Sequence, residues 1–130
     1  MAKLSEQAKK IISDIVPAFI ATAGKNGKPN VSPKGSFRVI DDEHVAFAEM
    51  MSPKTLANLK ENPQVAALVL DPNTWGGVRL HGRAEILESG PLVDSFKAQF
   101  APLKMTVHCV VKVAVEEVTI MPPMKGGAKG

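Results

Sequence analysis

The chain has little cysteine and few aromatic residues: Cys109 is its one cysteine, Trp75 its one tryptophan, and tyrosine is absent. A lone cysteine excludes an internal disulfide and a zinc site built from cysteine pairs. No apolar run approaches the ~20 residues that a membrane helix needs. The N-terminus also lacks the apolar core of a secretory signal. We therefore expect a cytoplasmic protein without a membrane segment.

Charge of one sign is scarce as well, since the net charge is +3. The lysines are scattered and few aromatics lie among them, which argues against a nucleic-acid partner. Hydrophobic residues make up 45% of the chain and charged residues 22%, a balance typical of a globular protein. We expect one domain over residues 1–124, followed by a flexible tail, KGGAKG, over residues 125–130.

Hydrophobic periodicity predicts an order of helix, three strands, helix, two strands, helix and strand. Pro17 ends the first helix, Ser52-Pro53 opens the second, and Ser89 precedes the third. Asn26-Gly27 predicts a hairpin turn. Short connections favour a mainly β fold with peripheral helices, in which an antiparallel sheet curls into a barrel. The six predicted strands cover residues 18–23, 30–40, 44–48, 64–70, 78–87 and 106–115.

Two of these strands have informative patterns. Pro33 cannot donate to a strand ladder, so residues 30–40 are expected to form an edge strand or to contain a bulge. Residues 78–87 alternate between apolar and polar side chains, which predicts a half-buried strand. His81 falls on its polar face, where we expect it to be exposed.

No catalytic group or metal site emerges from the ionisable residues. His44, His81 and His108 lie on three different predicted strands, and no pair of them has metal-ligand spacing. Cys109 follows His108, but neighbouring strand residues point to opposite faces. Cys109 is therefore interpreted as a small buried hydrophobic residue.

The motif Ser52-Pro53-Lys54-Thr55 carries the strongest local signal. The start of a helix offers free amide hydrogens and the positive end of the helix dipole. Lys54 adds a full charge, and the hydroxyls of Ser52 and Thr55 can donate as well, so the motif could hold a phosphate. From the motif alone, a capped helix with a surface lysine is the favoured explanation, since capping serines are common.

Two further segments allow both a functional and a structural interpretation. Residues 30–36 (NVSPKGS) combine alternate polar positions with a proline and a glycine, which suits either a ligand-binding edge or an irregular strand. Trp75 stands before Gly76-Gly77 in a loop. An exposed indole there can stack on a flat ring or anchor a partner, whereas a buried one would close one end of the barrel.

Three stretches, in this order, resemble a known family: AFIATAGKNGKPNVSPKGSF (residues 18–37), HVAFAEMMSPKTLANLKENPQVAALV (residues 44–69) and VRLHGRAEIL (residues 78–87). They are similar to the pyridoxamine 5'-phosphate oxidase-like flavin-binding split barrels, especially the short FMN-binding and flavoredoxin-like members. The resemblance implies a six-stranded split β-barrel that binds FMN at the interface of a homodimer. It also implies a redox role, as an electron carrier or as an oxidoreductase of unknown substrate.

The resemblance assigns roles to four groups of residues. The first would lie along the ring and ribityl chain of FMN, the second beside its pyrimidine edge, and the third around its phosphate. The fourth would reach the flavin of the other subunit. In this order the groups are Asn30, Val31, Ser32, Pro33 and Lys34; Ala48, Glu49, Met50 and Met51; Ser52, Lys54 and Thr55; and Trp75 and Gly77.

The chain also departs from the family. The long members carry a C-terminal arginine-and-histidine segment that holds the vitamin substrate, and nothing after Val115 resembles it, so oxidation of the vitamin is not expected. The phosphate group of residues has one basic member, Lys54. Lys34 is a candidate for assisting it, or for placing a charge beside the pyrimidine ring. A non-catalytic flavin sensor, an F420- or haem-binding barrel, and a purely structural dimer are the alternatives.

Overall fold

Seven antiparallel strands and three α-helices make up the computed structural model, which describes residues 2–124. The helices are α1 (Glu6–Asp14), α2 (Pro53–Glu61) and α3 (Pro91–Phe100), and a short 3₁₀ turn follows at Ala101–Leu103. The strands are β1 (Ala18–Ala23), β2 (Pro29–Lys34), β3 (Arg38–Asp41), β4 (His44–Glu49), β5 (Gln64–Leu70), β6 (Gly77–Leu87) and β7 (Cys109–Met121).

The strands form one sheet in the order β2-β1-β5-β6-β7-β4-β3, so β2 and β3 are its two edges. Every neighbouring pair is antiparallel. The inner face encloses one hydrophobic core, to which α1 contributes the buried side chains of Ala8 and Ile12. A second cluster, centred on Val93 and Phe96 of α3, covers part of β4 and β7. The expected mainly β split barrel with peripheral helices is confirmed.

The prediction of a single strand over residues 30–40 is wrong, and the sheet therefore has seven strands instead of six. The chain turns between Lys34 and Arg38, and its two halves pair at opposite ends of the sheet. Two contacts hold the turn inward: the Ser36 hydroxyl accepts a hydrogen bond from the Ala48 amide at 2.9 Å, and Phe37 is buried. Pro33 lies on an edge strand, as its missing N–H requires.

The last strand begins and ends later than predicted. Residues 106–115 were expected, whereas β7 continues to Met121 and pairs with β6 up to Gly77. Glu116 and Glu117 interrupt the apolar pattern of the strand. The predicted end at residue 115 follows from this interruption. The register shifts at this point, since His81 pairs with Glu117 and Gly82 with Val115. A β-bulge at this point therefore allows β7 to continue beyond Glu116 and Glu117.

Other predictions are confirmed. The strands β1 and β5 have the predicted bounds. In β6, Val78 and Leu80 are buried while Arg79 and His81 are exposed, which is the predicted alternation. None of the helices among residues 2–124 is long and apolar enough to cross a membrane. The predicted tail, residues 125–130, lies outside the described residues.

Candidate functional site

Polar side chains, instead of ladder hydrogen bonds, connect β2 to β4 and α2. Three polar residues, Ser32, Lys34 and Ser36, occupy alternate positions along β2 and the turn after it. Each makes a hydrogen bond across the gap, to Thr55, Glu49 and the Ala48 amide respectively. We call these three contacts the seam. Ser36 was not among the predicted site residues, although the alternation of polar residues was the signal that could have identified it.

The central contact of the seam is a buried ion pair. Lys34 Nζ donates to Glu49 Oε1 at 3.0 Å, and the two side chains are 6% and 4% exposed. The ammonium also lies 5.7 Å from the centre of the Phe47 ring. The second oxygen, Glu49 Oε2, accepts a hydrogen bond from the Ser52 amide at 2.5 Å. The carboxylate is thus satisfied at both oxygens, as a buried charge must be.

The second contact joins β2 to α2. The hydroxyls of Ser32 and Thr55 are 3.0 Å apart, and Thr55 is fully buried. Ala48 is fully buried as well. Neither Ala48 nor Thr55 has exposed surface with which to meet a ligand in this chain. Both residues therefore support the site from beneath instead of lining it.

The start of α2 differs from the predicted capped helix. Ser52 occupies the N-cap position, but its side chain makes no capping hydrogen bond, and its backbone amide donates to Glu49 Oε2. Pro53 has no amide hydrogen. The first-turn amides of Lys54 and Thr55 therefore have neither an intrahelical acceptor nor a side-chain cap. Thr55 is fully buried, so of the two only the Lys54 amide belongs to a residue that a ligand can reach. Lys54 is exposed, and none of the ion pairs among residues 2–124 involves it.

Exposed apolar side chains flank the seam. Val31 and Pro33 point away from the face that carries Ser32 and Lys34, and Val31 is 66% exposed. Met51, which follows β4, is 85% exposed, and its neighbour Met50 is half-buried. Asn30 is also half-buried. The predicted β2, β4 and α2 residues therefore come together, with an apolar surface beside a cationic helix start.

The Trp75 loop does not join this group within residues 2–124. Its backbone hydrogen bonds run within the loop and to the chain after β7: the Trp75 amide donates to the Asp71 carbonyl, and the Met124 amide donates to the Thr74 carbonyl. Trp75 is 40% exposed, so it is not a buried residue that closes one end of the barrel. Its φ of 65° is unusual for a bulky residue and marks local strain.

Gly77 is explained by packing. A Cβ at this position would lie 2.0 Å from the Val69 carbonyl oxygen and 3.1 Å from Leu70 Cα. Gly77 pairs with Leu70 in the sheet and is buried. Its small size is therefore required where β5 and β6 approach each other.

A separate groove of about 650 Å³ lies between the end of α1 and the β5–β6 loop. Lys10, Asp14, Asp71 and Thr74 line it, and Gly77 is the one predicted site residue on its wall. Lys10 Nζ lies 2.7 Å from Asp14 Oδ2, so the lysine charge is already paired. The groove therefore presents a neutral-to-acidic wall.

Cys109 is buried as predicted, whereas His108, predicted within the last strand, precedes β7. His108 is exposed and Cys109 is buried, on opposite faces. Burial raises the pKa of the Cys109 thiol, and the carboxylates of Glu49 and Glu88 raise it further. The thiol is therefore protonated and a poor nucleophile at neutral pH. Within the described part of the chain, no group of three or more His, Cys, Asp or Glu residues could hold a metal.

The chain matches the sequence model of a known family and is similar to several solved structures. The sequence model of the family described as pyridoxamine 5'-phosphate oxidase matches residues 4–121. The uncharacterized protein MJ0282 of Methanocaldococcus jannaschii is 41% identical over 68 residues, which are 51% of this chain and 45% of that protein. The match thus spans less than half the length of this curated relative.

Two solved structures are similar over nearly the whole chain. HupZ of Group A Streptococcus is 27% identical, with 98% of both chains covered and a TM-score of 0.81. An FMN-binding protein from Syntrophomonas wolfei subsp. wolfei is 19% identical, with a TM-score of 0.82 over 92% of this chain and 87% of that one. At the second identity the likeness shows the fold alone.

Proteins named for other cofactors share the fold too. An F420 reductase is 20% identical, with a TM-score of 0.67 over 89% of this chain and 98% of its own. HutZ, the haem storage protein from Vibrio cholerae, is 16% identical, with a TM-score of 0.71 over 94% of this chain and 97% of its own. Fold likeness therefore leaves the cofactor open, whereas the match over residues 4–121 settles the family. The chain is a member of the pyridoxamine 5'-phosphate oxidase family.

Proposed function

We propose that this chain binds FMN and acts as a redox protein, either an electron carrier or a flavin-dependent oxidoreductase. The observation that carries the proposal is the uncapped start of α2 with the exposed Lys54 beside it. The free amide of Lys54, the positive end of the helix dipole and the lysine charge are groups that favour a phosphate. The bound flavin would supply the redox chemistry, and the chain would hold and orient it.

In this proposal the predicted residues divide into two layers. Those with exposed surface would contact the cofactor: Lys54 and Ser52 at the phosphate, and the β2 edge with the segment after β4 along the ring. The buried residues would hold the exposed ones in position through the three hydrogen bonds of the seam. The outer layer is Asn30, Val31, Pro33, Met50, Met51, Ser52 and Lys54, and the inner layer is Ser32, Lys34, Ala48, Glu49 and Thr55.

A homodimer with the flavin at its interface completes the proposal. Phe19 pairs with Pro33 and Ala21 pairs with Val31, so apolar side chains cluster on the outer face of β1 and β2. Phe19 is 42% exposed. A second copy would cover this face, and its Trp75 loop would reach the flavin held by the first. The strained, exposed tryptophan supports such a role, since strain often accompanies function.

The groove near α1 is a weaker candidate for the flavin. Asp14 and Asp71 line it, and Lys10 is paired with Asp14. A phosphate there would meet carboxylates and no free cation among the described lining residues. Charge therefore favours the start of α2.

F420 and haem require different groups from the site than FMN does. F420 also carries a phosphate, so the start of α2 suits it as well as FMN. Haem requires an axial ligand. His81 is exposed on β6 and His44 is bonded to Asp41, whereas His108 is exposed beside the seam, where its backbone amide donates to the Glu49 carbonyl at 3.0 Å. His108 therefore keeps haem as an alternative, which the released ligand decides. FMN is proposed ahead of F420 because the sequence resembles the short FMN-binding members of the family, and the ligand released from the protein decides between the two.

The test is the ligand carried by freshly purified protein. We expect a yellow protein with a flavin spectrum, and mass spectrometry of the released ligand should give FMN. Activity with nicotinamide cofactors and electron acceptors then separates a reductase or carrier from a flavin sensor. A colourless protein that fails to take up added FMN would refute the proposal, and release of F420 or haem would replace it.

A further inference from the structure

We propose that Glu49 and Lys34 are a positioning pair that sets the charge and the geometry of the phosphate site without contacting the cofactor. Glu49 holds the backbone at the start of α2, and Lys34 cancels the charge that Glu49 would otherwise place beside the phosphate. This inference rests on the proposed FMN site and adds roles to two residues of its inner layer.

The geometry assigns Glu49 to the backbone of Ser52. Glu49 ends β4, and its Oε2 accepts the Ser52 amide hydrogen at 2.5 Å. This bond closes the turn that contains Met50 and Met51. Pro53 and Lys54 follow directly, so the direction in which α2 begins depends on the bond. A residue that fixes Ser52 in this way also fixes where the free amides and Lys54 lie.

The Glu49 carboxylate that accepts this bond carries a negative charge, which Lys34 neutralises. A bare carboxylate next to Ser52 would repel a phosphate at the start of α2, and burial would strengthen the repulsion. Lys34 Nζ lies 3.0 Å from the other carboxylate oxygen, so the net charge of the pair is zero. The Lys34 ammonium is committed to Glu49 and to the face of Phe47. It therefore serves the phosphate by neutralising Glu49, instead of binding the phosphate or the pyrimidine ring.

The two roles predict an asymmetric response to mutation. Lys34→Met removes the neutralising charge. At alkaline pH, where an unpaired buried carboxylate is ionised, it should weaken FMN binding at least ~10-fold, because like charges then face each other. Glu49→Gln keeps one oxygen for the Ser52 amide, but its NH2 group then faces the Lys34 ammonium, donor against donor, which should lower the stability of the apoprotein. The positive charge of Lys34 is no longer cancelled, so a variant that still folds should bind FMN as tightly as wild type or up to ~3-fold more tightly. The double variant should bind FMN within about threefold of wild type.

Riboflavin, which lacks the phosphate, is the matched ligand. Its dissociation constant should change less than about twofold in all three variants, since it has no charge for Glu49 to repel. Binding is measured by flavin fluorescence quenching, and urea denaturation of each apoprotein reports stability alongside it. Lys34→Arg keeps the charge and should restore FMN binding to within about threefold.

The outcomes distinguish a failure of the proposed charge role from a failure of the FMN site itself. If wild type binds FMN but Lys34→Met binds it equally well, the charge role of Lys34 is wrong. A loss that is equal for FMN and riboflavin, or a Glu49→Gln variant as weak as Lys34→Met, would show a structural ion pair and overturn the inference. Should Lys34→Met fail to fold, Glu49→Gln alone decides between the two. A wild-type protein that binds neither flavin refutes the FMN site itself.

Discussion

Gly77 provides a test of the packing that joins β5 to β6. In Gly77→Ala the new Cβ would lie 2.0 Å from the Val69 carbonyl oxygen and 3.1 Å from Leu70 Cα. Both are backbone atoms, so no side-chain rotation relieves the overlap. The strands must separate locally, which costs about 1–3 kcal/mol as overpacking. Weakening the ladder hydrogen bonds beside Leu70 adds about 1 kcal/mol.

Urea denaturation followed by circular dichroism should therefore show a loss of about 2–4 kcal/mol in the free energy of unfolding for Gly77→Ala. The matched control is Gly35→Ala, since a Cβ there meets nothing within 4 Å. It should stay within about 0.5 kcal/mol of wild type. If Gly77→Ala is as stable as Gly35→Ala, the close approach does not explain the glycine. A selective loss of flavin binding would then favour a contact with the cofactor.

Three further predictions concern single side chains. Phe47 is fully buried beneath the seam, so Phe47→Ala should lower the unfolding free energy by about 3–5 kcal/mol in the same assay. Because its pKa is raised, the Cys109 thiol should react slowly with a disulfide reagent in the native state and rapidly in urea, and equal rates would contradict this burial. If the proposed dimer binds FMN, Trp75 fluorescence should be quenched on binding, and an unchanged spectrum would remove Trp75 from the site.

Local patterns predicted most of the strands. The bounds of β1 and β5 follow from short apolar runs between turn residues, and the faces of β6 follow from alternation. The break at Gly35 and the continuation of β7 past Glu116 depend on pairing with distant strands. Nothing in the neighbouring residues specifies those partners, because register is set by the whole sheet.

The candidate site was predictable in part. The Ser52-Pro53-Lys54-Thr55 motif indicated an anion site from local chemistry, whereas the seam depends on pairs distant in sequence. Lys34 and Glu49 are 15 residues apart, and Ser32 and Thr55 are 23 apart. Which polar residues face each other at such distances is decided by closure of the barrel. The contact between Glu49 and Ser52 spans three residues, but a serine before Pro53 is equally suited to cap α2, so the motif did not show which hydrogen bond forms.

The most direct test of the phosphate site compares FMN with riboflavin in wild type, Lys54→Ala and Lys60→Ala. Lys60 is the control because it is an exposed lysine in the last turn of the same helix. A charged contact at a partly exposed site contributes about 1–1.5 kcal/mol, which corresponds to about a five- to tenfold change in affinity. Lys54→Ala should lose that factor for FMN and not for riboflavin, and Lys60→Ala should bind both like wild type. Equal FMN affinity in Lys54→Ala and Lys60→Ala, or equal affinity of wild type for the two flavins, would contradict a phosphate site at the start of α2.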